Sequence, residues 1–125
     1  MPYEKLKAWN VSHELAIRVY CATKNWPREE LYGLTSQTRR AALSVPTNLA
    51  EGSAKRTSRE FRRYLDTAVG SLAELSYLLR AARDLELMKL DEWEAIEQLR
   101  SRAGQLTWRL YESLGRKIRT ETARS

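Results

Sequence analysis

A chain of 125 residues makes one domain of ordinary size, able to bury a core without disulfide or metal staples. With 42% apolar and 30% charged residues, three prolines and five glycines, it does not read as a disordered segment or a turn-rich β-protein. The net charge of +6 gathers near the C-terminus, where residues 100–125 carry seven basic and two acidic side chains, and this points to a polyanionic partner.

Four helices read out in chain order. The first spans about Leu6 to Lys24, with Leu6, Trp9, His13, Ala16 and Tyr20 recurring at spacings of three and four. Asn25-Trp26-Pro27 ends it, because the residue before a proline disfavours helix. A connector follows, closed by Gly33. The second helix starts near Thr35 or Ser36 as N-cap, with Leu34 as staple, and runs to Glu51. Gly52 reads as its left-handed stop, and Pro46 inside it frees the Ala42 carbonyl and predicts a kink.

The third helix opens on Thr57-Ser58-Arg59-Glu60, a capping-box pattern. Its stripe of Phe61, Leu65, Ala68, Leu72, Leu75, Leu79 and Ala82 alternates four and three, the spacing of knobs-into-holes packing. The fourth starts at Asp91, with Glu94 three residues on, and continues past Leu114 along Ile96, Leu99, Ala103, Leu106 and Leu110. Short connections between long helices force antiparallel neighbours. The fold class is therefore all-α, an up-down four-helix bundle: residues 1–120 form one domain, and 121–125 a frayed polar tail.

Two helices carry a second row. Gly104, Trp108, Tyr111 and Gly115 fall off the seam of the fourth, and Gly70, Ala73 and Tyr77 form a similar row on the third. An interior helical glycine costs about 1 kcal/mol relative to alanine, and close approach of another backbone is the simplest return. These rows are the expected oligomer interface.

No catalytic constellation emerges, so an enzyme is not expected. One histidine and one cysteine leave no zinc motif, and there is no phosphate-cradling glycine loop, so neither metal nor cofactor is expected. His13 reads as a structural histidine and Cys21 as small buried filler. Asp91, Glu92, Glu94 and Glu97 sit where a helix N-terminus favours negative charge. Cys21 also has no disulfide partner within the chain, no apolar run reaches membrane length, and MPYEKLKAWN lacks the apolar centre of a signal peptide. The expected location is the cytoplasm, with no membrane partner.

The basic residues are the remaining functional candidates. Lys55, Arg56, Arg59, Arg62 and Arg63 crowd the second interhelical turn and the start of the third helix, where the macrodipole favours acids. Arg39 and Arg40 lie on the second helix, and Arg109, Arg116 and Lys117 on the fourth, alongside Arg100, Arg102 and Arg119. Arginine suits bidentate phosphate contacts and stacking on bases. For Arg39 and Arg40 ligand binding and internal salt bridges stand at even odds.

One further pattern spans nearly the whole chain. It comprises Tyr3-Glu4-Lys5-Leu6, Tyr32-Gly33-Leu34, Gln37, Arg39-Arg40-Ala41-Ala42, Ser44-Val45-Pro46, Asn48-Leu49-Ala50-Glu51-Gly52, Phe61, Ala68-Val69-Gly70-Ser71-Leu72 and Glu74-Leu75. In this the chain resembles the small bacterial four-helix-bundle proteins encoded by intervening sequences of 23S ribosomal RNA genes. These are related to the accessory protein of diversity-generating retroelements. The resemblance implies a homopentameric barrel, and the family's genomic association with ribosomal RNA genes makes RNA the favoured polyanion. Asn48 and Glu51 are expected to bond groups freed around the Pro46 kink or to cap a neighbouring helix. Thr38 departs from the family pattern, where an aliphatic residue is usual. The expected function is a non-enzymatic, basic oligomer that binds structured RNA, ribosomal RNA included, or other nucleic acid through phosphates. The alternative is a ring that recruits a protein partner.

Overall fold

The computed structural model describes residues 2–124. Four helices, α1 (Lys7–Thr23), α2 (Ser36–Ser53), α3 (Ser58–Asp84) and α4 (Leu90–Arg124), follow one another up and down, with no strand among the described residues. Each packs on its neighbours in a closed square: α1 on α2 and α4, and α3 on α2 and α4. Leu15, Val19, Val45, Leu49, Leu65, Leu75, Leu79 and Ile96 are fully buried between them. Each such side chain contributes about 1.5–3 kcal/mol of burial. Trp26 and Met88, from the two interhelical connections at one end, close that end of the core.

The α3 stripe packs as its spacing predicts, with Leu65 through Ala82 buried and Phe61 half-buried at its start. On α1 the buried face is instead Ala8, Ser12, Leu15, Ala16, Val19 and Thr23. The small residues let α1 approach its neighbours, and the rings lie at the rim. His13 is exposed, stacked on Trp9 at 4.9 Å, and Cys21 is exposed rather than buried filler. On α4 the core face is Ile96, Ala103, Thr107, Leu114 and Gly115, with Leu99, Leu106 and Leu110 half-buried beside it.

The helix ends bring further corrections. Neither Thr35 nor Ser36 acts as a free-standing N-cap: Thr35 has helical backbone angles and makes no side-chain cap, because the chain enters α2 from a wide turn over Leu31–Thr35. α2 runs through Pro46 to Ser53, and Gly52 is not left-handed. A Cβ on Gly52 would stand 2.8 Å from the Phe61 ring and 2.9 Å from Tyr64 Cβ, so this glycine permits close approach of α3. Asn48 does not reach the freed Ala42 carbonyl either. Its Nδ2 donates to the Ser44 carbonyl at 2.8 Å and to Ser44 Oγ at 3.0 Å, and Ser71 Oγ donates to the same Ser44 hydroxyl at 2.8 Å.

Thr57 caps α3 by accepting from the Glu60 N–H at 3.2 Å. Among the described residues the left-handed one is Glu86, with φ 61°, after α3. There the Leu87 N–H donates to the Ala82 carbonyl and the Glu86 N–H to that of Arg83, the paired bonds of a Schellman stop. α4 begins at Leu90, so Asp91 lies in its first turn rather than at its N-cap. It remains helical to Arg124, through the segment expected to fray. Thr38 is fully buried, and its hydroxyl donates to the Leu34 carbonyl at 2.7 Å, which satisfies the polar group that departs from the family pattern.

Candidate nucleic-acid interface

The up-down order places the α2–α3 turn, the start of α1 and the end of α4 at one end of the bundle. Two contacts tie the start of α3 directly to α4. Arg59 Nη2 donates to Thr122 Oγ1 at 3.2 Å, and Arg62 Nε donates to the Tyr111 carbonyl at 3.2 Å. Residues 2–7, 51–67 and 112–124 together hold eleven basic and six acidic side chains. The opposite end, residues 24–36 and 80–97, holds five basic and eight acidic ones. The excess positive charge is thus polarised along the bundle axis, and it comes from side chains, since the dipoles of antiparallel helices oppose one another at each end.

Lys55, Arg56, Arg59, Arg63, Arg116 and Lys117 are exposed at this end. Arg62 is different. Its guanidinium lies 3.8 Å above the Tyr111 ring and fills the space that a side chain at Gly115 would need, 2.9 Å from that absent Cβ. It fastens α3 to α4. Arg39 is also engaged within the fold, donating to Thr23 Oγ1 at 2.7 Å and lying 5.0 Å over the Tyr20 ring. Of the two readings left open for Arg39, ligand binding or an internal salt bridge, it takes neither form outright: its partners are a neutral acceptor and a ring. Arg40 is exposed beside it in the opposite half of α2, and Arg109 is exposed midway along α4, so neither joins the basic end.

The second-face residues also separate. Gly70 and Gly104 have open space where a Cβ would stand, and Ala73 is exposed. Tyr77 is 71% and Trp108 50% exposed, with Trp108 stacked on Tyr111 at 5.3 Å. Gly115 is occupied from within by Arg62, so its close approach is intramolecular. Among the described residues no group of three His, Cys, Asp or Glu side chains is placed to hold a metal, and no helix is long and apolar enough to cross a membrane.

Residues 4–109 match the family model described as 23S rRNA-intervening sequence protein. The chain belongs to this family. A solved structure from Bacteroides thetaiotaomicron VPI-5482, a protein of unknown function from the S23 ribosomal protein family, is similar with a TM-score of 0.79. It is 19% identical, and the likeness covers 90% of this chain and 99% of that one, which shows the shared fold. A comparison with curated proteins gives no match.

Within the family frame, the motif Asn48-Leu49-Ala50-Glu51-Gly52 acquires a place. Asn48 lines a surface cleft of about 300 Å³ at the α2–α3 corner, together with Lys55, Glu60, Arg63, Tyr64 and Thr67. Gly52, four residues on and hence on the same side of α2, lets Tyr64 sit close against the helix. No periodicity in the sequence brings these residues together. The local sign of it is the Asn–Gly spacing of four, facing the first turns of α3 that carry Glu60 and Tyr64.

Proposed function

We propose that the protein is a non-enzymatic RNA-binding protein that grips structured RNA through phosphates at its basic end. The observation that carries this reading is the convergence of Lys55, Arg56, Arg59 and Arg63 with Arg116 and Lys117 at one end of a bundle whose other end is acidic. Arginine-rich ends of this kind draw in polyanions with little sequence preference. Membership of the 23S rRNA-intervening sequence family favours RNA over other polyanions.

We further propose a homo-oligomeric ring, five subunits being the number that the family resemblance implies. A ring needs two different patches that fit each other. Tyr77 and Trp108 on α3 and α4 supply one, and the exposed Ile17 and Leu43 on α1 and α2 supply the other. Repetition round a ring multiplies the basic end and its field. The same exposed apolar residues favour a second reading, in which the ring recruits a protein partner and the charge serves solubility.

Light scattering after size exclusion, with and without a structured RNA hairpin at low and moderate salt, separates these readings. An oligomer that co-elutes with RNA and releases it as salt rises is the expected result. An oligomer that ignores RNA at both salt levels moves the function to the protein scaffold.

A further inference from the structure

We infer that the α2–α3 corner cleft is a pocket for a single unpaired nucleotide, with guanine as the preferred base. The proposal rests on the RNA-binding reading above and narrows its ligand. Phosphate gripping alone requires positive charge, yet this cleft also contains a carboxylate, an amide and an aromatic ring. Each has a chemical use against a base.

Consider the groups in turn. Tyr64 provides a ring on which a base can stack, and Lys55 Nζ already lies 5.2 Å from its centre. Asn48 is locked by its two bonds to Ser44, both made through Nδ2, so its amide orientation is fixed and Oδ1 is left as an acceptor. Glu60 is the last residue of the capping pattern, three after Thr57, but no bond returns from its carboxylate to the Thr57 N–H. Its carboxylate therefore makes no hydrogen bond or ion pair with the described residues, and neither does the Arg63 guanidinium beside it in the cleft. An acid and a base that share a cleft without pairing are both available to a ligand.

Donor and acceptor chemistry selects the base. The Watson–Crick edge of guanine presents two adjacent donors, N1–H and the N2 amino group, and a carboxylate accepts both at once. Adenine and cytosine present one amino group to such a carboxylate, and uracil presents only its imide N–H. Lys55 and Arg63 meet the phosphate of the same nucleotide, and Lys55 leaves the Tyr64 ring as the base takes its place. Duplex RNA hides these edges, so the nucleotide must be bulged, looped or terminal.

The test measures binding of one RNA hairpin by fluorescence anisotropy, fully paired or with one bulged nucleotide that is G, A, C or U. The bulged G is expected to bind about tenfold more tightly than the bulged U or the paired hairpin, the size of a good bidentate base contact. Glu60→Gln is expected to erase that preference while binding to the paired hairpin stays equal or tightens, because a negative charge has gone. Tyr64→Ala is expected to weaken all bulged hairpins alike. Should that variant fail to fold, Glu60→Gln decides alone, since it changes no packed volume. Equal affinity for all five hairpins overturns the cleft and leaves RNA binding at the basic end standing. Binding to none overturns both.

Discussion

Arg62 packs over the ring of Tyr111, its guanidinium carbon 3.8 Å from the ring centre and its Nε donating to the Tyr111 carbonyl. One side chain thus bonds the backbone of α4, stacks on its aromatic ring and fills the notch at Gly115. A basic residue in the most cationic segment of the chain is consequently a structural clamp. Arg62→Ala is expected to destabilise the fold by about 2–4 kcal/mol, the sum expected from a cation–π contact and a charged hydrogen bond. Urea unfolding measures this, and an unchanged midpoint would remove the clamp.

The glycines should divide by what surrounds them. Gly52→Ala pushes a methyl group into the Phe61 ring and the Tyr64 Cβ, both held by α3, and should cost about 1–3 kcal/mol. Gly70→Ala and Gly104→Ala meet open space within the protomer and should each gain about 0.5–1 kcal/mol from helix propensity. Thermal unfolding at low protein concentration checks the signs. A loss of self-association in either of the last two, with the stability of the single chain raised, would place that glycine at the interface of the proposed ring.

Glu86→Gly tests the turn between α3 and α4. Glu86 occupies the left-handed position that closes a Schellman stop, where an L-residue with a Cβ is disfavoured by about 1–2 kcal/mol relative to glycine. Part of that advantage is offset by the greater freedom of glycine in the unfolded chain. A net gain of about 0.5–1 kcal/mol in denaturant unfolding is expected.

Thr107 carries a fully buried hydroxyl with no hydrogen-bond partner in the fold. Replacing it by valine keeps the shape and removes an unsatisfied polar group, so Thr107→Val should stabilise by about 1 kcal/mol. For a domain of this size that raises Tm by about 3–5 °C. A fall in Tm would mean that the hydroxyl is satisfied by water.

The fold was legible wherever large apolar residues kept a helical period. The α3 stripe did so over Leu65, Leu72, Leu75 and Leu79, and four long helices with short connections then fixed the topology. On α1 the period was present but the face was misread. Trp9 and His13 carry more apparent weight than Ser12 or Thr23, yet a close helix contact buries the smaller residues. Gly52 looked like a stop because glycine usually ends helices. Only the approach of Phe61 and Tyr64 reveals its other use, and nothing in the sequence marks Glu86 as left-handed. The basic residues were visible one by one. That Arg59 meets Thr122, whereas Arg39 turns inward to Thr23, is decided by tertiary distances that no local spacing encodes.

The measurement that bears most directly on the basic end is the salt dependence of hairpin RNA binding. It should be made for the unaltered protein and for a variant carrying Lys55→Glu, Arg59→Glu and Arg63→Glu. Affinity for the unaltered protein should fall log-linearly with salt. In the variant binding should weaken steeply, and the slope should shrink by about 0.7–0.9 for each phosphate that the protein no longer neutralises. Identical affinity and slope in an intact, equally assembled variant would contradict RNA binding at this end of the bundle.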